Sequence, residues 1–327
     1  MPSWLIWGLL LAAASALGTW LARWYAVRGN LIDQPGERRS HAVATPRGGG
    51  IAIVGVMVLA AGWLLWRDGA AMGWLIPAFL IGLLLVAGIG WWDDHRPLSP
   101  WSRLAVQALA SGLLGLAAWH DSGIHAGGFL IGAAAFLSAM VLVNVWNFMD
   151  GINGLAASQA ALAAAAFAWA LTGPWSWLAL ALMAGCLGFL PFNFPKARIF
   201  LGDVGSGAIG FGLAALWVAG WHGSQVPWPL LALPLCPFLV DAGFTLAARM
   251  LAGERWWTPH VTHLYQRYAK RAGHTRVTVT YATLCCVAIA LIYGGRRWTI
   301  VEALVAVVAA YAVAWIGYAG LRRGLRA

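Results

Sequence analysis

The amino-acid sequence predicts an all-α protein that crosses a membrane about eleven times. Its 327 residues are 61% hydrophobic and only 10% charged, whereas a soluble domain is about a quarter charged. Apolar runs near 20 residues recur along the whole chain, and each suits one helical crossing of a bilayer. A large soluble core protein is disfavoured, because its surface would need far more polar residues than this chain supplies.

The candidate helices follow one another with short polar loops between them. They cover 3–24, 50–66, 74–91, 103–119, 128–146, 155–172, 176–192, 205–221, 228–247, 277–294 and 298–320. The first run is too long for a signal-peptide core and has no basic residue before it, so we expect a retained helix. The sixth and seventh runs would form a hairpin. No internal repeat or linker is evident, so we expect a single integral membrane domain over 1–327.

The lysine and arginine residues predict the orientation of the chain. If the N-terminus faces outward, 18 of the 21 basic residues fall on inner loops or inner helix ends. Cytoplasmic loops carry such an excess, so we expect a periplasmic N-terminus and a cytoplasmic C-terminus. The net charge of +10 then reflects topology and does not indicate nucleic acid. The same orientation places the polar loops on one face, at 33–50, 91–99, 147–153, 193–206 and 255–276.

The four cysteines indicate neither a zinc site nor a disulfide framework. All of them lie in apolar runs, and none forms a CxxC pair. Spaced cysteine pairs are the usual sequence signal for either arrangement.

An acidic pair, Asp93 and Asp94, ends the third run. Adjacent carboxylates repel each other, so a magnesium ion or a transferable proton is a natural reason for placing them together. One carboxylate could act as a base while the other binds metal. A solvated pair at the membrane interface remains an alternative.

Two further motifs carry carboxylates on inner loops. Asn147, Asp150 and Asn153 would lie near one face of a helix, and their groups suit a nucleotide base, a ribose or a metal. A polar interface turn is the alternative. Asp203, in the stretch GDVGS, could cap the eighth helix. It could also serve as a hard oxygen ligand of magnesium, with phosphate oxygens completing the shell.

The last inner loop contains two histidines after a predicted helix start. Thr258 suits the N-cap and Pro259 the first helical position, so His260 and His263 would share one face beside free amide groups that can bind an anion. Zinc is disfavoured, because no cysteine or third histidine lies nearby. A structural histidine pair is the alternative.

Basic residues and glycines make the first inner loop a candidate phosphate site. His41 and Arg47 lie in it together with Arg38, Arg39 and the glycines 48–50, and such loops can cradle anions. The charges could equally be topology signals. Taken together, the inner face offers carboxylates, a hard metal site and anion-binding groups, which favours phosphate chemistry beside lipid.

Four stretches in order resemble the motifs of one membrane enzyme family. These are DQPGERRSHAVATPRGGG, the acidic pair, NVWNFMDGINGLA and FLGDVGSGAIG, from about residue 33 to 212, and a match in the final loop extends the resemblance to about residue 268. They resemble the polyprenyl-phosphate N-acetylhexosamine-1-phosphate transferases, glycosyltransferase family 4. The resemblance implies a UDP-N-acetylamino sugar donor, an undecaprenyl phosphate acceptor, release of UMP, and a magnesium cofactor that manganese could replace.

The resemblance also implies a role for each motif position. The catalytic residues would be Asp93, Asp94 and Asp150; the metal ligands Asp203 and Asp150; the substrate contacts Asn147, Asn153, His260, His263, Arg47, His41 and Arg267. The acidic pair would activate or bind the lipid phosphate, and the last-loop histidines would lie near the diphosphate.

Two departures refine the resemblance. Asn153 stands where many members have aspartate, which affects the details of uracil recognition. The stretch HVTHLYQRY lacks the consecutive histidines of the peptidoglycan enzyme and resembles the branch that initiates O-antigen or related surface polysaccharides. We therefore expect an enzyme of the bacterial inner membrane, and a homodimer is left open. The alternatives are the phospho-N-acetylmuramoyl-pentapeptide translocase, or a transporter or lipid flippase, which should carry ionisable groups near mid-membrane.

Overall fold

The computed structural model describes residues 2–34, 36, 43–69, 73–254 and 261–324. Twelve α-helices lie within these ranges. They are α1 Ser3–Arg28, α2 Ile51–Asp68, α3 Leu75–His95, α4 Pro100–Asp121, α5 Ala126–Met149, α6 Leu155–Ala170, α7 Gly173–Asn193, α8 Asp203–Gly223, α9 Cys236–Leu251, α10 Leu264–Ala272, α11 His274–Gly294 and α12 Ile300–Gly324. Two short strands, β1 (Ile32–Asp33) and β2 (Thr45–Pro46), pair antiparallel between α1 and α2.

The predicted all-α membrane fold is confirmed. Within the described ranges, nine helical segments are long and apolar enough to cross a membrane, one of them being α9 joined to a preceding 3₁₀ segment, Trp228–Leu235. Both α4 and α6 lie at predicted spans without being among the nine, and α6 has only 16 residues. Eleven crossings therefore stay a prediction.

The central element of the bundle is α8. In an 18-residue stretch of it, 89% of the residues are buried, and both α3 and α5 pack along it. Small residues let the backbones approach closely, which is how membrane helices gain packing contacts without a hydrophobic driving force. At Gly210, a Cβ would overlap the main-chain oxygen of Leu142 in α5, and at Gly90 it would overlap the main chain of Asp203.

The first helix is part of this bundle. Its Ser15 hydroxyl donates to the main-chain oxygen of Gly185 in α7 at 2.6 Å. Both groups are buried, so the hydrogen bond satisfies a polar pair inside the membrane-spanning region. Close contact continues at Gly188, where a Cβ would overlap the main chain of Ala12.

Main-chain hydrogen bonds fasten the first inner loop to the loop before α8. After β2, the amides of Gly49 and Gly50 donate to the oxygens of Phe200 and Leu201, at 2.9 and 2.8 Å. Gly50 also abuts Gly205 so closely that a Cβ would overlap its Cα. The loop grouping predicted from charge is thus confirmed for these two loops, which meet at one end of the bundle.

The predicted helix start at Thr258 and Pro259 lies outside the described residues, and the helix expected to continue from it is absent directly after them. Residues 261–262 are not helical, and α10 begins at Leu264 with His263 as its N-cap. The reason lies outside the loop. The buried Asp241 carboxylate in α9 accepts hydrogen bonds from the amides of Leu264 and Tyr265, both at 2.9 Å, which fixes the first turn there.

A methyl group added at Gly210 should weaken the bundle. Gly210→Ala would drive a Cβ into the α5 backbone, and such overpacking costs about 1–3 kcal/mol. Thermal unfolding of the detergent-purified protein should show a lower Tm. Gly212→Ala is the matched control, since its Cβ would meet side-chain atoms at 3.7 and 3.8 Å. Equal Tm values for the two variants would contradict this description of the α5–α8 contact.

Candidate active site

Asp94 holds the N-terminus of α8 at the end of α3. Its carboxylate oxygens accept the amide hydrogens of Asp203 and Val204, each at 3.1 Å. The residue is only 2% exposed, and negative charge at a helix N-terminus is stabilising. The side chain therefore acts as a cap supplied by another helix, and the predicted catalytic pair divides into one buried anchor and one more accessible carboxylate.

Arg103 joins two of the predicted motifs. Its Nη1 lies 2.9 Å from Asp93 Oδ2 and 2.8 Å from Asp203 Oδ2. These carboxylates come from α3 and α8, and a shared cation reduces their mutual repulsion. Asp93 also accepts the Leu98 amide through Oδ1 at 2.6 Å, so the turn into α4 is fixed by the carboxylate that Arg103 contacts.

The other oxygen of Asp203 is held by Asn147 of α5. Its Nδ2 donates to Asp203 Oδ1 and to Ser206 Oγ, both at 3.0 Å. Because α5 ends at Met149 with Asp150 as its C-cap, the expected helical alignment of Asn147, Asp150 and Asn153 is wrong. Only the first of the three is helical, and the chain turns after it.

Asp150 lies half-buried directly after α5. Burial, together with the charges of Asp203 and Asp94, raises its pKa to about 8. Loss of solvation and repulsion by like charges both favour the protonated carboxyl. The site is therefore a place where an added cation is stabilised and where a carboxyl can hold a proton near neutral pH.

The last loop meets the site through Tyr265 of α10. Its hydroxyl donates to the main-chain oxygen of Phe148 at 2.9 Å and lies so close to Gly151 that a Cβ there would overlap it. Burial raises the pKa of Tyr265 well above its ordinary value, and Asp241 and Asp150 add to the shift. The phenol thus stays neutral and remains a hydrogen-bond donor.

Asn153 and His263 have local structural partners. Asn153 donates through Nδ2 to Pro195 O at 3.0 Å, and its main-chain oxygen accepts from Thr278. His263 is 3% exposed, lies 3.7 Å from Asp241 and caps α10. These contacts fit the structural alternative for both residues, while their predicted substrate contacts stay predictions.

The remaining predicted contacts are placed as follows. Arg47 lies beside the site, with Nη2 donating to Asp94 O and Nε 3.9 Å from Asp94 Oδ1. Arg267 is half-buried on α10. His41 and His260 lie outside the described residues.

The carboxylate oxygens of this site suit a hard cation, but few of them are available as protein ligands. Carboxylate oxygens are what Mg²⁺ prefers, usually one or two, with water and substrate phosphates completing the shell. Within the described ranges, no group of three His, Cys, Asp or Glu side chains is placed to hold a metal ion. Asp203 and Asp150 are the carboxyls that would hold a magnesium ion, which would take its other ligands from substrate or water and would lie beside Arg103 or in its place.

Arg103 was not among the predicted site residues. It was counted only as a topology signal, although a lone arginine at the start of an apolar helix, nine residues after Asp94, is itself unusual in a membrane. Ser206 and Tyr265 were also missed. Nothing in their local sequence marks them, because their partners, Asn147 and Phe148, come from another helix.

Comparison with known proteins identifies relatives that share this part of the chain. Residues 76–220, which contain Asp93, Arg103, Asn147 and Asp203, match the model of glycosyl transferase family 4. A decaprenyl-phosphate N-acetylglucosaminephosphotransferase of Mycobacterium tuberculosis is 31% identical over 82% of this chain and 76% of its own length.

Two other relatives have related names. An undecaprenyl-phosphate alpha-N-acetylglucosaminyl 1-phosphate transferase of Thermotoga maritima is 28% identical, covering 76% of each chain. A phospho-N-acetylmuramoyl-pentapeptide-transferase of Synechococcus sp. is 33% identical over 66% of this chain and 71% of its own length.

Replacing the buried anchor should destabilise the protein. In Asp94→Asn, the side-chain oxygen can accept from only one of the two main-chain N–H groups at the start of α8, because the other side-chain position is now an NH₂ donor. A buried donor left without an acceptor costs about 1–3 kcal/mol. The Tm of the purified protein should fall by several degrees. Asp68→Asn is the control, because Asp68 pairs only with the partly exposed Arg67 among described residues, and its Tm should stay near the wild-type value. A wild-type Tm for Asp94→Asn would rule out the capping role.

Proposed function

The chain belongs to glycosyl transferase family 4, as a polyprenyl-phosphate sugar-phosphate transferase, and from this premise we propose its reaction. It transfers an N-acetylated amino-sugar-1-phosphate from a UDP-sugar to undecaprenyl phosphate, giving a polyprenyl-diphosphate-sugar and UMP. The observation that carries the proposal is the Arg103 bridge, with Asn147 on the second oxygen of Asp203. These contacts bring together the motifs that contain Asp93, Asn147 and Asp203 at one end of the helix bundle.

The reaction needs one bond to form and one to break at the same phosphorus. An oxygen of the lipid phosphate attacks the β-phosphorus of the UDP-sugar, and the bond from that phosphorus to the bridging oxygen breaks. The electron pair leaves with UMP. Catalysis of such a transfer is chiefly positioning and stabilisation of charge on phosphoryl oxygens.

The described residues have different roles in this reaction. Arg103 and Arg47 supply positive charge to phosphoryl oxygens. Asp94 and Asn147 act as positioning residues, because they hold the main chain and the carboxylate of Asp203. Asp93 and Asp150 are the carboxyls available for contact with the reacting phosphates. Because burial and the charges of Asp203 and Asp94 raise the pKa of Asp150 to about 8, its carboxyl holds a proton near neutral pH and can donate a hydrogen bond to a phosphoryl oxygen.

We also propose magnesium as the cofactor, with manganese as a substitute, held chiefly by Asp203 with help from Asp150. Bound there, the ion would neutralise the diphosphate and polarise the bond that breaks. The support is the chemistry of the carboxylate oxygens, and the burial and negative charge that raise the pKa of Asp150 and that a bound cation would offset.

For the pathway, we propose the initiation of O-antigen or related lipopolysaccharide synthesis at the cytoplasmic face of the bacterial inner membrane. The stretch HLYQR supports the pathway, and the excess of inner basic residues supports the orientation. The names of two relatives favour N-acetylglucosamine as the sugar. The rival is the muramyl-pentapeptide translocase reaction, which the 33% identical Synechococcus relative favours.

Purified protein should release UMP from one UDP-N-acetylamino sugar when undecaprenyl phosphate and magnesium are present. A panel of UDP-sugars that includes UDP-N-acetylmuramyl-pentapeptide separates the two reactions by chromatographic detection of UMP. Release from the pentapeptide substrate alone would establish the rival. Release from no substrate would overturn the transferase proposal.

In the same assay, Asp203→Ala should lower turnover by about 10³-fold or more if it removes the metal. Asp68→Ala serves as the control, because this carboxylate belongs to the other end of α2 and should leave turnover unchanged. A near-normal rate and an unaltered magnesium dependence for Asp203→Ala would remove Asp203 from the metal site.

Cysteine labelling in intact cells should establish the orientation. In a functional variant without the four native cysteines, Ser99→Cys and Thr275→Cys should be shielded from an impermeant thiol reagent until the membrane is permeabilised. Ile124→Cys, at a residue 73% exposed in the loop between α4 and α5, should be labelled at once. The reverse pattern would contradict the cytoplasmic placement of the site.

A further inference from the structure

Arginine side chains from two helices converge where α12 ends. Arg271 of α10 donates through Nη1 to the main-chain oxygen of Gly324 at 3.3 Å, which places α10 against the last turn of α12. Arg267 lies one helical turn before Arg271, on the same face of α10. Arg322 lies in the last turn of α12. We call Arg267 and Arg322 the α10–α12 arginine pair.

The two members of the arginine pair approach the same buried hydroxyl group. Tyr318, one turn before Arg322, is 4% exposed, and its hydroxyl lies 2.8 Å from Thr245 Oγ1 of α9. Arg267 and Arg322 are both close enough to this hydroxyl to act on it electrostatically. The pair therefore occupies one small region, where α9, α10 and α12 meet.

Neither Arg267 nor Arg322 is paired with a carboxylate among the described residues. The nearby acidic side chains have other partners, since Asp241 accepts the amides that begin α10 and Glu254 lies 3.3 Å from Arg249. The C-terminus of α12 supplies only about half a negative charge. Arg322 Nε is also buried without a hydrogen-bond partner in the described part of the chain. An anionic ligand would supply both the missing charge and an acceptor.

The arginine pair lies at the level of the membrane surface. The helix α12 has the length and composition of a membrane span, so its last turn reaches the interface. Tyr265 of α10 contacts the end of α5, so this is also the end of the bundle that carries the candidate active site. We propose above that this end faces the cytoplasm, where basic pockets between membrane helices bind anionic lipid headgroups.

An exposed apolar surface continues from the arginine pair towards the membrane interior. Trp315 lies seven residues before Arg322, which is about 10 Å along the helix, and it packs against Phe244 of α9 with ring centroids 5.4 Å apart. Trp315 and Leu321 are 54% and 61% exposed. Exposed apolar side chains on a membrane span contact lipid tails. A ligand with its anionic end at Arg322 can therefore keep its apolar part in the bilayer.

The chemistry of this surface distinguishes between possible anions. Guanidinium groups bind phosphate oxygens through charge-assisted hydrogen bonds, which are often bidentate. A soluble phosphate would satisfy only the two arginines. A phospholipid with a net negative headgroup would satisfy them and would also cover the apolar surface beside Trp315.

We propose that Arg267 and Arg322 bind the phosphate of an anionic phospholipid, whose acyl chain lies along Trp315 between α9 and α12. The inference goes beyond the proposed function and does not depend on it, because neither the sugar nor the acceptor enters it. It assigns to Arg267 a lipid contact in place of the substrate contact that the family resemblance implied. The lipid would fasten α10, and with it Tyr265, to the end of α12.

Thermal unfolding of the delipidated, detergent-purified protein tests the site. Dioleoylphosphatidylglycerol should raise the Tm by about 2 °C or more, because a ligand that binds only the folded state stabilises it. Dioleoylphosphatidylcholine has the same chains without the net charge, so its effect should be smaller. Inorganic phosphate at constant ionic strength should have no effect. A gain from inorganic phosphate equal to that from phosphatidylglycerol would overturn the lipid assignment.

Arg322→Gln should lose at least half of the Tm gain that phosphatidylglycerol gives, because it removes the charge and keeps a polar side chain of similar shape. The matched control is Arg297→Gln, which makes the same change at an exposed residue just before the other end of α12. It should keep the full gain. Equal gains for Arg322→Gln and the wild-type protein would overturn the proposal.

Photocrosslinking of the wild-type protein covers the case in which Arg322→Gln fails to fold. Phosphatidylglycerol with a diazirine on one acyl chain should label peptides of α9 and α12, and unlabelled phosphatidylglycerol should compete. Labelling confined to other helices would contradict the placement beside Trp315. Full competition by phosphatidylcholine would also overturn the proposal, because the surface would then bind phospholipid without regard to charge.

Discussion

The site depends on one contact between two helices, the carboxylate of Asp94 on the first amides of α8. A helix begins with N–H groups that lack partners inside it, and here another membrane helix supplies the acceptors. This fixes the position of Asp203, and so the place where Arg103 and Asn147 can meet it. The other motif contacts follow from this docking of α3 on α8.

The fold was largely predictable because a bilayer limits what a chain can do. Backbone polar groups must be satisfied within each crossing, so apolar length alone located the long helices to within a few residues, except α9, whose predicted span also covers the 3₁₀ segment before it. Charge grouped the loops, and the structure brings together those that carry Asp94, Asn147 and Asp203. The roles inside the group were less predictable. Asp94 as a cap and Arg103 as a bridge are contacts between distant segments, which no local pattern encodes.

The last loop is a second case in which contacts between distant residues, and not the local sequence, determine the structure. Thr258 and Pro259 have the preferences of a helix start, yet α10 begins at Leu264, because the buried Asp241 carboxylate accepts the amides there. Tertiary hydrogen bonds outweigh propensity differences of a fraction of a kcal/mol. The Asp241 carboxylate thus holds the loop in place, and the hydroxyl of Tyr265 connects the loop to the end of α5.

The distance along the chain between Asp94 and its partners has a consequence for biogenesis. The separations are 109 and 110 residues, and a chain is made from its N-terminus at about 5–20 residues per second. For several seconds, α3 is therefore complete while α8 does not yet exist, and its terminal carboxylates must stay hydrated at the membrane surface. The cluster around Asp203 and the fully anchored end of α3 are therefore complete only when the eighth helix arrives.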